Sequence, residues 1–200
     1  SCIYDLGYGS ATVRPDSEMG YAACEKALAG GNPSSGSVGA GTGATVGKIC
    51  GMERAMKSGL GMYAVQLGEL RMAAVVAVNA LGDIFDSSTG RKIAGLRTED
   101  GTAFSDSCEE LWKMGQRENL FTGNTTIGAV ITNGKFNKAQ MNKIASMTRN
   151  AYARCINPVG TMADGDSIYA ASAGEVEADL NVAGTLAAYV MERAIVAAIR

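Results

Sequence analysis

The sequence predicts an α+β protein whose helices stack outside packed sheets, and three observations carry that prediction. Two largely apolar runs, 59–67 and 70–79, are separated by a Gly68-Glu69 turn and read as a hairpin whose second strand is buried on both faces. A third run of the same kind, Ile127-Gly128-Ala129-Val130-Ile131, follows a Gly123-Asn124 turn signal and two threonines. Helix-period segments then follow at 138–154 and 181–200, and strands followed by helices place the helices outside the sheets.

Composition narrows the functional classes. Two hundred residues suffice for one sizeable core, and with 46% apolar and 19% charged residues the chain is globular rather than disordered. A net charge of −2 gives no electrostatic footprint for nucleic acid or an anionic membrane. No apolar run approaches the roughly 18 residues of a membrane span, and no signal peptide opens the sequence. The five cysteines form no C-x-x-C pair, which argues against a zinc knuckle or a redox motif and points to reduced thiols and a cytoplasmic location. Histidine is absent. That closes Ser-His-Asp, Cys-His and His-ligated metal chemistry to this chain unless another chain supplies the ring, so a hydrolytic base must be an amine, a lysine or a carboxylate.

Taken in order, residues 1–6 read as a strand end entering a loop at Gly7 and Gly9. Pro15-Asp16 starts a helix over 16–29 with small residues on its packed face, stopped by Gly30-Gly31. Residues 32–37 form a turn-rich loop. Glycine, at 26 of 200 residues, exceeds the ~7% expected and signals close backbone packing. Its densest run, Gly39-Ala40-Gly41-Thr42-Gly43-Ala44-Thr45-Val46-Gly47-Lys48, fails the phosphate-loop pattern twice. Thr42 stands where glycine is needed, and Ile49 follows Lys48. A GxGxxA match from Gly39 to Ala44 has no clear strand leading into it. A wall of backbone amides close to a ligand, with Lys48 delivered at its end, fits better; a solvated loop lysine is the plain alternative.

The second hairpin strand ends in Asn79, a polar tip that either forms the turn or is hydrogen-bonded and used. Ile84-Phe85-Asp86 is expected to extend the same sheet, turning at Ser88-Thr89-Gly90. Residues 95–123 are polar and irregular except for a short helix near 108–114, and form a connector with room for a processing site at its end. Asn137 is expected to cap the helix 138–154, which Asn157-Pro158 breaks. Asp164-Gly165-Asp166 is a tight turn before a strand at 167–172, without the ligand spacing of a calcium loop. Asn181 is expected to cap the last helix.

The stretch from Gly123 to Asn133 suits a threonine that cuts its own preceding peptide bond. Thr125 would attack the Asn124 carbonyl, an ester would form, and water would release Thr125 with a free α-amine. Such an amine titrates near pH ~8 and can serve as base for its own hydroxyl. Asn-Thr-Thr is also a short, common string that can simply open a core strand.

Gly39 to Lys48, Val76-Ala77-Val78-Asn79, Gly123-Asn124-Thr125-Thr126-Ile127 and Asp164-Gly165-Asp166, in that order, resemble the DmpA-type hydrolases. That family includes L-aminopeptidase/D-esterases, β-peptidyl aminopeptidases, a pantetheine hydrolase and nylon-oligomer hydrolases, and Ser17 to Cys24 fits it as well. The resemblance implies a four-layer αββα sandwich like the N-terminal nucleophile hydrolases. It implies a self-processing aminopeptidase or amidase cut between Asn124 and Thr125. Residues 1–124 would then be the C-terminal part of a large subunit, and 125–200 the small subunit. It further implies Thr125 as nucleophile, Asn79 as donor to the oxyanion, Lys48 assisting the nucleophile, Asp164 and Asp166 orienting the network, and Tyr4 on the substrate side. No cofactor or metal is implied. The implied partners are a small peptide or amide substrate and further copies of the chain, a tetramer by resemblance.

Family precursors carry more than a hundred residues ahead of the stretch that matches Ser1. The expectation is therefore that a further segment or another chain supplies a layer, without which a sheet face stays uncovered. Two other functions remain open at this point: an acyltransferase of the ornithine-acetyltransferase type, and an unprocessed scaffold without turnover.

Overall fold

The computed structural model describes residues 1–3, 5–10, 12–30, 33–115 and 124–199. In chain order these form α1 (Ser17–Leu28), a 3-10 turn (Gly39–Gly41), β1 (Thr45–Val46), β2 (Met56–Lys57), β3 (Leu60–Leu67), β4 (Leu70–Asn79), β5 (Asp83–Asp86) and β6 (Arg91–Ala94). There follow α2 (Ser107–Met114), β7 (Thr125–Gly134), α3 (Lys138–Cys155), β8 (Ile156–Asn157), β9 (Ser167–Val176) and α4 (Leu180–Ala197).

The main sheet has the order β3-β4-β7-β9, antiparallel except for the parallel β7–β9 pair. Strand periodicity divides its side chains between two faces. On one face Leu70, Met72, Ala74, Val76 and Val78 of β4 and Val130 of β7 join Ile144 and Tyr152 of α3 and Val190, Met191 and Ala194 of α4 in a single core. Gly61 of β3 lets α4 approach this closely, because a Cβ there would stand 1.8 Å from the Ala194 carbonyl oxygen. The register places Met62, Val75, Ala129 and Tyr169 on the other face, and no second large sheet covers that face among the described residues. Residues 1–3 run along part of it, with Ser1 Oγ 2.9 Å from Ser167 Oγ and 2.8 Å from Tyr169 Oη. Among the described residues the main sheet is covered on one face by α3 and α4, and helices and sheets together bear out the α+β class.

The hairpin, β7 and α3 fall where expected. Asn137 caps α3 in a full capping box with Gln140. Several expectations need correction. Residues 1–3 and 5–6 carry no strand. Asp16 caps α1 as expected, but α1 buries none of its residues; its alanines favour helix by propensity without forming an apolar stripe. β5 leaves the main sheet and pairs with β6 and β8 in a separate three-stranded sheet. The cap of α4 is Asp179, whose carboxylate accepts from Asn181 N and Val182 N, so Asn181 already lies inside the helix. By length and mean hydropathy α4 passes for a membrane span, but half of it is buried inside the molecule as a core helix. The five cysteines are free thiols.

Candidate active site

The candidate residues gather where β4 ends and β7 begins. The β4–β7 ladder sets Asn79 opposite Thr125, and both side chains are buried. Thr125 Oγ1 donates to the Asn124 carbonyl oxygen at 2.6 Å. The same oxygen accepts the backbone N–H of Gly165 at 2.9 Å, in register with a parallel bridge between Asn124 and Asp164. The peptide bond before Thr125 is therefore held between the first residue of a strand and the acidic turn.

Lys48 is brought in by close backbone packing. A Cβ on Gly41 would lie 2.1 Å from Leu60 N, and one on Gly47 would lie 2.0 Å from Leu96 N. Gly47 also has a φ of +69°, which favours glycine. Two glycines of the run thus seat against the protein's own backbone, whereas a Cβ on Gly43 would meet the Asp5 carboxylate and one on Gly39 would meet open space. Lys48 itself is buried, not solvated, and its Nζ donates to Asn79 Oδ1 at 2.7 Å and to Asn79 O at 3.0 Å. Burial lowers its pKa to about 7, against the opposing pull of Asp164, Asp5 and Asp166. Near neutral pH this amine is poised between its two forms.

Asn79 is oriented from both ends. Its Oδ1 also accepts from Thr45 N at 3.1 Å, and its Nδ2 donates to the Ile3 carbonyl at 3.0 Å. These acceptor contacts fix the amide so that its N–H bonds point toward the open face of the sheet, where Ile3 lies.

The two aspartates divide their tasks. Asp166 Oδ1 accepts the backbone N–H of Thr126 at 2.7 Å, tying the turn to the residue after Thr125. Burial raises the Asp166 pKa to about 6; the Thr126 amide counters this shift and the Asp164 charge adds to it. Asp164 closes its own turn, its Oδ2 accepting from Thr161 N and Thr161 Oγ1, both at 2.8 Å. Tyr152 of α3 donates from Oη to the carbonyls of Thr126 at 3.4 Å and Ser167 at 3.3 Å, below the same strand ends. Among the described residues no group of three or more Cys, Asp or Glu is placed to hold a metal ion. Tyr4 and Gly123 lie outside the described residues. Sequence reasoning assigns no role to Thr45 or Tyr152, whose bonds to Asn79 and Thr126 span 34 and 26 residues, nor to Thr161, which closes the Asp164 turn from three residues away.

The arrangement links a poised amine to an oriented amide, pairs that amide's residue with Thr125 across the ladder, and ties the peptide before Thr125 to an acidic turn. The family model for peptidase family S58 matches residues 3–200. The chain belongs to peptidase family S58. Among its relatives in that family, an uncharacterised aminopeptidase of Mycobacterium leprae is 33% identical over 184 residues, covering 88% of this chain and 49% of that protein. A 6-aminohexanoate-oligomer endohydrolase of Kocuria is 32% identical over 182 residues, with the same coverage of 88% and 49%. The chain spans about half the length of these curated relatives.

Solved structures agree on the fold. An L-aminopeptidase D-Ala-esterase/amidase from Ochrobactrum anthropi, described as a new variant of the Ntn hydrolase fold, aligns with a TM-score of 0.57 at 18% identity. It covers 88% of this S58 chain and 48% of that one. A Burkholderia β-aminopeptidase aligns with a TM-score of 0.53 at 18% identity, covering 88% and 50%.

Proposed function

We propose that this S58 chain carries the nucleophile region of a self-processing amidohydrolase or aminopeptidase. Thr125 is cut free by attack on the Asn124 carbonyl and then serves as an N-terminal nucleophile on peptide or small amide bonds. The observation that carries this reading is the Thr125 hydroxyl, 2.6 Å from the carbonyl oxygen of the bond to be cut. Attack by Oγ of one residue on the preceding carbonyl closes a five-membered ring, so no distant group has to move in.

After scission the α-amine of Thr125 takes the hydroxyl proton and later gives it to the leaving amine. Asn79 Nδ2 donates to the tetrahedral oxygen of the substrate, taking the place of its bond to Ile3. Lys48 holds Asn79 and sets the local potential, while Asp166 and Asp164 keep the turn registered on β7. Residues 1–124 are then the C-terminal part of a large subunit and 125–200 the small subunit, assembled further as a homo-oligomer. Short amides built from amino acids, such as those named for the Kocuria relative, are the substrate class to test first.

Mass spectrometry of the purified protein tests the reading. We expect two polypeptides, the second beginning at Thr125, and a single uncut one for Thr125→Ala. Cleavage at Asn124 in Thr125→Ala would refute self-scission. Turnover of aminoacyl p-nitroanilides with and without a competing amine separates hydrolysis from acyl transfer, and hydrolysis is expected to dominate.

A further inference from the structure

We infer that the backbone N–H of Gly165 is the oxyanion donor for the self-scission step, separate from the Asn79 amide that serves later substrates. The inference rests on the self-scission reading above and adds a named atom to it. Two observations carry it. The Gly165 N–H donates to the Asn124 carbonyl oxygen at 2.9 Å in the uncut chain, so the donor already faces the oxygen on which charge would develop. Asn79 Nδ2 donates instead to the Ile3 carbonyl at 3.0 Å. The two donors therefore address different oxygens, that of Asn124 and that of Ile3.

Residue 165 is a glycine for a reason of space. Its φ is not among the positive values that favour glycine. A Cβ there would stand 2.8 Å from Thr125 Oγ1, closer than packed atoms tolerate, and 3.6 Å from Asn124 O. The missing side chain leaves the hydroxyl room to swing from the carbonyl oxygen to the carbonyl carbon.

The step balances as follows. Thr125 Oγ bonds to the Asn124 carbonyl carbon, and the electron pair of the C=O bond moves onto oxygen, where the Gly165 N–H stabilises it. The hydroxyl proton passes to the Thr125 nitrogen, the C–N bond breaks and the C=O bond reforms, leaving an ester and a free amine. Water then hydrolyses the ester to the Asn124 carboxylate and the Thr125 hydroxyl.

Replacing Gly165 by glycolic acid, introduced by nonsense suppression in the full chain, exchanges the N–H for an oxygen and keeps the backbone path. Scission, followed as the appearance of the fragment beginning at Thr125, should slow by about 10²-fold or more. An ester variant that splits at the wild-type rate would overturn the inference while leaving self-scission standing. A wild-type chain that never splits would overturn both. A second measurement guards against misfolding of the ester variant. In the uncut Thr125→Ala chain, the Gly165 amide hydrogen should be strongly protected from exchange, and exchange at the rate of an open loop would overturn the assignment.

Discussion

Asn79 and Thr125 are directly paired across the β4–β7 ladder, one closing its strand and the other opening it. Strand ends are where a buried sheet can present polar atoms without breaking its ladder, and here each end carries one. Lys48 is hydrogen-bonded to the first of this pair, and the acidic turn to the residues on both sides of the second.

Substituting Asn79→Asp keeps the acceptor for Lys48 and Thr45 but removes the amide donor. We expect kcat to fall by about 10²-fold or more with KM little changed, and the melting temperature to stay near that of wild type. Steady-state kinetics beside a thermal melt decides it; a large loss of stability with unchanged kcat would make Asn79 purely structural.

Lys48 predicts a pH dependence of stability. Its pKa is about 7 in the folded chain and 10.5 in its ordinary state, so between these values the unfolded chain binds more protons. Stability contributed here is therefore present above pH 10.5 and lost as pH falls through 7. Relative to Lys48→Met, the wild-type chain should gain stability from pH 7 to pH 10, measured by urea midpoints. A difference that stays flat over that range would count against a buried amine.

Asp166 predicts the opposite sign at lower pH. Its pKa is about 6 when folded and 3.8 ordinarily, so the folded chain binds more protons between those values. Relative to Asp166→Asn, which keeps an acceptor for the Thr126 N–H, the wild-type chain should lose stability as pH rises from 4 to 6. Urea midpoints at half-unit steps would show the slope or its absence.

Gly61→Ala should destabilise the fold by roughly 3 kcal/mol, because the new methyl group meets the Ala194 carbonyl and α4 must lift off β3. Chemical denaturation measures this directly, and a change below about 0.5 kcal/mol would mean that α4 shifts freely.

The sequence made the hairpin legible because Gly68-Glu69 separates two runs with strand periodicity, and it made α3 legible through Asn137 and Gln140. It misled at β5, since Ile84-Phe85 is too short to say which sheet receives it. The α4 cap was misassigned by two residues because Asp179 and Asn181 are both good caps and local chemistry does not rank them. At the site, Thr125 followed from the turn and strand around it, but the burial of Lys48 did not. A lysine after a glycine run looks solvated until Gly41 and Gly47 are seen against Leu60 and Leu96. Gly165 read only as a turn former, because its contact with Asn124 joins segments some forty residues apart.

The position of β7 in the sheet has a consequence for assembly. If the bond before Thr125 is cut as proposed, β4 and β7 belong to separate polypeptides, and the hydrogen-bonded centre of the sheet becomes a contact between two chains. Denaturation then includes dissociation of the two fragments, so the midpoint of the cut protein should rise more steeply with protein concentration than that of the uncut Thr125→Ala chain.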